Sequence, residues 1–252
     1  MDADSAEHIV IDDEPDCERA VRVDRGDVRY TLTTGPRPQA DVAYARFPPA
    51  EVESRAALVI GTFRDLGSPF RWSIGPLTDA PGLATILAAS GLRRERDALI
   101  VTAPLPMRGR QPDHDLELVE ETDERTARDG LRVDRDLSGS ELDRLTGERA
   151  GYLACGGRRG GGVVAYRRGI PVGYGRWRYG TDGLSVYLSH AHTLRPHRRT
   201  GVYTAILRYR IDRAVHHGRT VAVASVDRGT IAPILMRKGF REVASVTTWA
   251  GA

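Results

Sequence analysis

The segment TLRPHRRTGVY, residues 193–203, combines residue types that bind anions. Arg198 and Arg199 carry guanidinium groups that pair bidentately with phosphate, and Gly201 precedes an apolar pattern with helical spacing. The first N–H groups of a helix have no intrahelical partner, and the helix dipole adds partial positive charge there. Since glycine lets a ligand approach the backbone closely, the segment predicts a cradle for a diphosphate. The alternative is a solvated basic surface without a ligand.

Two histidines precede this segment on a predicted strand. His190 and His192 alternate with apolar neighbours in LSHAHTL, which places both on one face. Histidine titrates near neutral pH, so either side chain suits proton removal, directly or through water. We rank His192 ahead of His190. The alternative for each is a structural histidine hydrogen-bonded to a carbonyl group.

Helical and alternating apolar patterns place these residues within an ordered second half of the chain. From LELVEETD onward they predict a strand at 116–123, a short helix at 138–148, a tight turn at GGRRGGG (156–162), a hairpin at 163–179, a strand at 184–194, a helix at 201–218, a strand at 220–226, a helix at 230–240 and a final strand. The anion cradle therefore lies between a strand and the best helix of the chain.

The first half shows the same kinds of element. The patterns predict strands at 28–35, 70–76 and 97–106, a helix at 50–67 that ends at Gly67, and a helix at 81–95 with Gly91 at its C-terminal end. Residues 1–27 form an acidic N-terminal segment that we expect to be frayed at its start, and RGRQPDHD, residues 108–115, is typical of a linker.

An internal similarity links the two halves. LATILAASGLRRE (83–95) and IAPILMRKGFREV (231–243) share a register of apolar residues that ends in glycine, an apolar residue and arginine, and a strand-like run follows each. Helix, glycine and strand at matching places indicate a duplicated unit, although chance similarity between short capped helices is the alternative.

Composition narrows the class of protein. The chain has 252 residues, 40% of them hydrophobic, and its N-terminus lacks a basic region followed by an apolar one. We therefore expect a soluble, cytoplasmic protein, with no membrane partner and no metal ligands. From residue 156 onward, 16 arginines and Lys238 face four acidic residues, a net charge of +13. Such an excess suggests a polyanion partner, with arginine use in a GC-rich genome as the alternative.

Two landmarks resemble the GNAT superfamily of acyl-CoA-dependent N-acetyltransferases. The family signature, Arg/Gln-x-x-Gly-x-Gly/Ala, corresponds to Arg198-Arg-Thr-Gly201-Val-Tyr203, and a later Gly-Phe landmark corresponds to Gly239-Phe240 in PILMRKGFREV. The elements of 116–249 follow the family's order. The half at 28–106, with FRWSIGP and LATILAASGL, looks like the degenerate first domain of tandem GNAT proteins, and it lacks an equivalent of the signature.

The resemblance implies an α/β fold of two GNAT-like domains, each with a mixed, mostly antiparallel central sheet flanked by helices. We divide the chain into the acidic segment 1–27, a degenerate domain at 28–107 that binds no CoA, the linker 108–115, and an acyl-CoA-binding domain at 116–252. The oligomeric state stays open.

The resemblance also implies an activity: direct acyl transfer from acyl-CoA, with acetyl-CoA as the expected donor, to the amine of a small molecule. The implied cofactor-binding residues are Thr193, Leu194, Arg198, Arg199, Thr200, Gly201, Val202 and Tyr203, with a backbone N–H near Thr193–Leu194 holding the carbonyl oxygen. Ser225 and Asp227 end the next strand, where the family often places acid or base groups. Asp227 also suits capping of the following helix.

Three positions depart from the family pattern. Tyr203 replaces the usual small residue, where it either crowds the pantetheine arm or closes on it, and Thr200 replaces a usual basic residue. Leu235 stands where many members carry a tyrosine that protonates the departing thiolate, so another group must serve or the thiolate leaves unaided.

Two other functions stay open. A GNAT-fold transferase that takes its acyl group from aminoacyl-tRNA agrees with the basic C-terminal portion, and a catalytically inactive GNAT-like binding module agrees with the altered signature. Arg176 and Arg178 on the predicted hairpin suit an acidic substrate, with a solvated strand face as the alternative.

Overall fold

The computed structural model describes residues 1–12, 14, 17, 20–33, 39–107, 115–135 and 137–251. The chain divides into two compact units. The first contains Met1–Val101 and Ser225–Ala252, and the second contains Thr102–Ala224. Both boundaries fall inside strands.

The helices are α1 (Ala3–Ile11), α2 (Val52–Asp65), α3 (Leu83–Ala89), α4 (Glu124–Asp134), α5 (Gly139–Ala154), α6 (Val202–His216) and α7 (Ala232–Met236), with 3₁₀ turns at Pro49–Glu51 and Arg195–His197. The strands are β1 (Ala20–Asp24), β2 (Val28–Thr33), β3 (Ala40–Ala45), β4 (Phe70–Ile74), β5 (Arg93–Pro104), β6 (Glu117–Glu120), β7 (Gly160–Arg167), β8 (Ile170–Tyr179), β9 (Ser185–Thr193), β10 (Val221–Asp227) and β11 (Arg241–Gly251).

The sheet of the first unit has the strand order β1-β2-β3-β4-β11-β5. Its strand β11 comes from the C-terminus of the chain and pairs antiparallel with β4, so that Trp249 lies opposite the fully buried Trp72. Sequence analysis assigned this strand to a domain at 116–252, whereas the contacts group it with the first unit. The predicted domain boundaries themselves stay a prediction.

Helix α2 supplies one side of the first unit's core. Its buried residues Val52, Ala56, Ile60 and Phe63 recur at helical spacing, which places them on one face. The Phe63 ring lies 5.3 Å from the ring of Phe70 on β4, within the range of favourable aromatic pairs. Burial of this face holds the helix against the sheet.

The sheet of the second unit has the order β6-β7-β8-β9-β10 and is antiparallel except between β9 and β10. Helices α4 and α6 pack on opposite faces of it. A Cβ at Gly173 or Gly175 of β8 would meet α6 side chains, whereas the alternating residue Tyr174 packs against Gly130 of α4. The glycines therefore let α6 approach the strand closely.

Strands β9 and β10 part along their length. Their parallel register joins Ser185 to Val221 and continues only to Tyr187 and Val223, although β9 extends to Thr193. The first unit repeats this arrangement: β3 and β4 pair in parallel from Ala40–Phe70 to Val42–Trp72, and β3 extends to Ala45.

The helix ends repeat as well. Helices α3 and α7 are each followed by a glycine with positive φ, Gly91 at 84° and Gly239 at 95°. The next residue donates to the carbonyl five positions back, Leu92 to Leu87 at 3.0 Å and Phe240 to Leu235 at 3.1 Å, as in a Schellman cap. The internal similarity seen in the sequence is therefore a repeated structural element.

Several local predictions differ from the structure. Helix α4 was not predicted, although Asp123 and Thr126 form a capping box at its start. The start of the acidic segment 1–27, which we expected to be frayed, forms α1, and β1 follows in the same segment. Residues 160–162 of GGRRGGG were predicted as part of a turn but form the buried start of β7. Neighbouring atoms occupy the space that Cβ atoms would need there, which accounts for the three glycines. All of the predicted linker 108–115 except Asp115 lies outside the described residues.

In the described part of the chain, none of the helices has the length and apolar character needed to cross a membrane.

Candidate functional site

The start of α6 has the backbone geometry expected of an anion cradle. A 3₁₀ turn, Arg195–His197, connects β9 to this helix, and Gly201 is the N-cap residue with a left-handed φ of 85°. Arg199, with φ at 64°, also adopts this conformation. No described side chain caps the helix, so its first N–H groups stay available to a ligand.

Two side chains of the cradle, Arg198 and Thr200, hydrogen-bond to backbone carbonyl oxygens. The Arg198 Nε donates to the carbonyl oxygen of Thr193 at 3.2 Å, which fastens the loop to the end of β9. The Thr200 hydroxyl donates to the His197 carbonyl oxygen at 2.7 Å. Arg199 is exposed. In the first helical turn, Val202 is buried and packs inward, whereas Tyr203 is half-buried.

Arg167 is a cradle residue that sequence analysis missed. It ends β7, and its Nη1 donates to Thr200 Oγ1 at 3.2 Å and lies 3.5 Å from His197 Nδ1. Its Nε is paired with Asp115 at 2.9 Å. The only sequence signal is the hairpin turn that follows it. This turn returns the chain beside the cradle through positive φ angles at Arg168 and Gly169.

The strand end offers one free backbone donor rather than two. The Leu194 N–H donates to the Val172 carbonyl oxygen on β8 at 3.0 Å and is therefore occupied. Thr193 is the alternating residue, paired with Gly173, so its N–H points away from β8. Thr193 and Leu194 are the two residues expected to hold a carbonyl oxygen. Of their N–H groups, that of Thr193 is the one directed away from β8.

A β-bulge on β9 sets the position of His190. The register with β8 shifts between Gly175 and Arg176, and His190 is the extra residue, with a left-handed φ of 44°. Arg210 of α6, only 1% exposed, donates to the carbonyl oxygens of Arg176 at 2.9 Å and Ser189 at 3.1 Å. Burial lowers the pKa of Arg210 to about 10. Arg210 of α6 thus stabilises the bulge by hydrogen bonds to carbonyl groups of both strands.

The His190 imidazole has a carboxylate partner. Its Nδ1 lies 3.3 Å from Oδ2 of Asp134, the last residue of α4. Burial raises the pKa of Asp134, but the hydrogen bond with His190 and the nearby charges of Arg176 and Arg135 outweigh this and hold that pKa below its usual value. Asp134 was missed because its helix was not predicted. A carboxylate on Nδ1 orients the ring and leaves Nε2 for a substrate.

His192, the higher-ranked candidate from the sequence, has no such partner. It is half-buried and lies opposite Tyr174 in the β8–β9 register, and its imidazole makes no hydrogen bond within the described residues. Of the two histidines, His190 is therefore the one with a carboxylate partner among the described residues.

Ser225 and Asp227 belong to the first unit, whereas the histidines and the cradle belong to the second. The Ser225 carbonyl oxygen accepts from Arg96 at 3.3 Å. Asp227 accepts from the Thr230 N–H at 2.8 Å and hydroxyl at 2.7 Å, and these hydrogen bonds lower its pKa. Asp227 therefore caps a turn, and a catalytic role for either residue stays a prediction.

A buried polar network supports the α4 side of the second sheet. The Glu121 carboxylate, fully buried, pairs with Arg149 at 2.6 Å and accepts from the Tyr174 hydroxyl at 3.1 Å. The same hydroxyl accepts from Arg176 Nε at 2.5 Å. Burial raises the pKa of Tyr174 to about 12, so the phenol stays protonated and donates to Glu121. In the described part of the chain, no cluster of side chains suits a metal ion.

The corresponding place in the first unit is closed by its own chain. After β4, Asp79 forms a parallel bridge with Arg46 at the end of β3, and the Phe47 N–H donates to the Asp79 carbonyl oxygen at 2.9 Å. Arg46 Nε also donates to the Leu77 carbonyl oxygen at 3.1 Å. Helix α2 then begins after the 3₁₀ turn Pro49–Glu51, without a left-handed glycine.

Neither a family model nor a curated protein matches the sequence. Solved structures do match. A GCN5-related N-acetyltransferase from Kribbella flavida aligns with a TM-score of 0.69 at 19% identity, covering 92% of this chain and 90% of that chain. A tandem GNAT protein from the clavulanic acid biosynthesis pathway, solved without acetyl-CoA, aligns at 0.61 and 16% identity, covering 89% and 78%.

A third similar structure is a GCN5-related N-acetyltransferase from Sphaerobacter thermophilus, with a TM-score of 0.61 at 15% identity and coverage of 89% and 76%. These alignments span both halves of the chain. The chain has the GNAT fold, and the α/β fold class predicted from the two sequence landmarks is confirmed.

Proposed function

We propose that the protein is an acyl-CoA-dependent N-acyltransferase that transfers an acetyl group directly from acetyl-CoA to the amine of a small molecule. One observation carries this proposal: the uncapped start of α6, with left-handed Gly201 beside Arg198 and Arg199, follows a strand whose pairing with β10 stops early. The GNAT fold of the chain agrees with it. The cytoplasmic location expected from the sequence stays a prediction.

The residues at the helix start fit the diphosphate of acetyl-CoA. The N–H groups of Gly201, Val202 and Tyr203 lie in the uncapped first turn, where the helix dipole favours an anion, and Arg199 adds an exposed charge. Thr200 and Arg167 form the wall of the cradle. Tyr203 is half-buried, so its ring does not extend fully into solvent. When bound, acetyl-CoA supplies an acetyl group activated as a thioester.

The residues around the bulge supply the remaining chemistry. His190 Nε2 accepts the proton that the attacking amine loses, while Asp134 on Nδ1 stabilises the resulting imidazolium. The Thr193 N–H donates to the carbonyl oxygen as it gains negative charge. Most of the rate enhancement comes from this positioning. Leu235 is buried and apolar, so this position gives no proton to the CoA thiolate that departs when the thioester C–S bond breaks.

The basic C-terminal portion supports an RNA-linked donor less than its charge suggests, because many of its arginines already bind groups of the chain itself. Examples are Arg158 with the Leu153 carbonyl oxygen, Arg167 with Asp115, Arg208 with Asp212, Arg213 with Glu120, and Arg228 with Glu242. We therefore do not propose aminoacyl-tRNA as the acyl donor.

Thermal unfolding with and without acetyl-CoA tests the proposal. A hundredfold excess over the dissociation constant stabilises a binding protein by about 2.7 kcal/mol. Gly201→Glu places a carboxylate and a strained φ at the cradle, so we expect this stabilisation to disappear. Gly218→Glu is the matched control, since it makes the same change at a left-handed glycine directly after the other end of α6.

A wild-type protein that gains no stability contradicts acetyl-CoA binding. Binding without thiol release for any amine supports the inactive module instead. Calorimetric titration adds the stoichiometry: we expect one acetyl-CoA per chain, and stoichiometric binding that persists in Gly201→Glu would place a site outside this cradle.

A further inference from the structure

Arg176 lies beside the bulge with part of its guanidinium group unused. It stands on β8 opposite Ser189, the residue before His190, and its side chain is half-buried. Its Nε donates to the Tyr174 hydroxyl at 2.5 Å. Within the described residues, its two terminal nitrogen atoms have no hydrogen-bond partner. They are thus left for a ligand, since guanidinium groups in half-buried positions bind anions.

The buried network orients Arg176 without neutralising it. Tyr174 is fully buried and connects Arg176 to Glu121, but Glu121 already forms a close ion pair with Arg149. The network therefore balances its own charges, and the positive charge of Arg176 is additional to them. Orientation by a buried phenol restricts the side chain, which lowers the entropy lost when an anion binds.

Asp134 does not neutralise Arg176 either. It lies near enough for Arg176 to help lower its pKa, but its ion-pair partners are His190 at 3.3 Å and Arg135 at 3.5 Å. One carboxylate thus faces two guanidinium groups and an imidazole. The charge around this part of the bulge is positive, which favours an anionic ligand.

Arg176, which can bind an anion, and His190, which we propose accepts the proton, both lie on the α4 side of the sheet. Tyr174 and Arg176 share a face because they are two residues apart on β8, and Tyr174 packs on Gly130 of α4. The His190 imidazole contacts Asp134 of the same helix. A ligand that carries both an amine and an anionic group can therefore address His190 and Arg176 together.

We propose that the acceptor is a small amine that also bears a carboxylate, with the carboxylate paired to the terminal nitrogen atoms of Arg176 and the amine facing His190 Nε2. This inference rests on the proposed acetyltransferase function, because it assigns the acceptor of the same site. The planar guanidinium fork matches a carboxylate in two parallel hydrogen bonds. The role of Arg176 is specificity: it selects and places the acceptor.

A panel of matched amines tests the acceptor class. Amino acids, and ω-amino acids from glycine to 6-aminohexanoate, are each compared with the corresponding carboxamide, and aminoalkyl phosphonates form a third arm. We expect kcat/KM for carboxylates to exceed that for their amides at least tenfold. The amine of an α-amino amide is less basic and more often unprotonated, so this preference cannot come from amine reactivity. Thermal shift by the same compounds gives a readout independent of turnover.

Substitution of Arg176 links the preference to this side chain. In Arg176→Gln we expect KM for the carboxylate to rise at least tenfold while kcat/KM for the amide changes little, so that discrimination is lost. Arg176→Lys keeps the charge but not the fork, and we expect an intermediate ratio. Arg178→Gln, two residues further along the same strand, is the matched control. The ratio of the two substrates is independent of how much protein folds.

The outcomes separate this inference from the proposed function. Absence of stabilisation by acetyl-CoA contradicts the function itself. If acetyl-CoA binds but neutral amines are preferred, or no carboxylate-bearing amine is acetylated, the acceptor class is wrong and the function stands. A preference for phosphonates reassigns Arg176 to phosphate-bearing acceptors and overturns the carboxylate. Equal loss of activity toward both substrates in Arg176→Gln shows a structural role and also overturns the inference.

Discussion

The two units contain the same strand–helix–strand arrangement with different chemistry at the join. In both, a parallel pair of strands parts after a short register, and α2 or α6 connects them. In the second unit the helix begins at a left-handed glycine beside arginines. In the first unit the helix follows two prolines and Glu51, and the end of β3 is bridged by Asp79.

This difference shows that a repeated strand–helix–strand arrangement can carry different backbone geometry and charge where the strand meets the helix. The glycine-capped helix ends and the strand pairing persist in both halves, because they serve packing. The anion cradle depends on a few residues between β9 and α6, and the bulge depends on one extra residue within β9. The candidate site is therefore a property of these local features and not of the topology that the two units share.

The largest difference between the units should appear in catalysis. His190→Asn removes the proton acceptor that we propose, while asparagine tolerates the left-handed φ of this position. We expect kcat to fall about 10²- to 10⁴-fold, the usual range for loss of a general base. Tyr44→Phe, on β3 beyond the residues that pair with β4, is the control and should leave the rate unchanged. Steady-state kinetics with acetyl-CoA and an accepted amine measure both.

The companion variant Asp134→Asn sharpens this result. Loss of the carboxylate removes the partner that orients the His190 ring, so kcat should fall while KM for acetyl-CoA changes little. A full rate in His190→Asn would exclude His190 as the base and return His192 to first place.

The second difference concerns ion pairs and stability. Glu121→Ala leaves Arg149 buried and unpaired in the second unit, which should reduce the free energy of unfolding by about 3–5 kcal/mol. Arg55→Ala in the first unit removes partly exposed pairs with Asp27 and Glu51, for which we expect a loss of less than about 1 kcal/mol. Chemical denaturation measures both, and similar losses would contradict the contrast.

The smallest effect depends on pH and is confined to the first unit. Burial raises the pKa of Glu7 to about 7, although the Leu77 N–H donates to its Oε2 at 2.6 Å. The folded state therefore holds a proton that the unfolded chain releases near pH 4.5, so stability should fall between these values as pH rises. Glu7→Gln should remove a loss of up to about 3 kcal/mol between pH 5 and pH 8. Unfolding midpoints that respond equally to pH in both proteins would exclude this role.

Sequence patterns predicted most of the fold because they reflect local physics. The α6 helix, the hairpin at Arg168–Gly169 and the cradle glycine follow from apolar spacing, turn chemistry and the needs of a helix start. The pattern failed at α4, whose burial depends on contacts with β8, and at Gly160–Gly162, whose strand conformation depends on distant side chains. Tertiary packing, rather than local sequence, determines the conformation of both segments.

The sequence grouped candidate residues where they are adjacent in the chain, as with Arg198, Arg199 and Gly201. It did not single out Asp134, which contacts His190, or Arg167, which contacts Thr200, and it named Arg176 without linking it to His190. The β-bulge gives His190 surroundings that differ from those of His192. It arises from a register shift between β8 and β9, so the sequence of one strand alone does not predict it.

The position of β11 sets an order on biosynthesis. Residues 241–251 are synthesised after β6–β10, yet they complete the sheet of the first unit by pairing with β4 and contacting α1. The first unit therefore stays incomplete, with Trp72 lacking its cross-strand partner, until β11 has been synthesised. The second unit holds all of its own strands through Ala224 and can acquire its structure while synthesis continues.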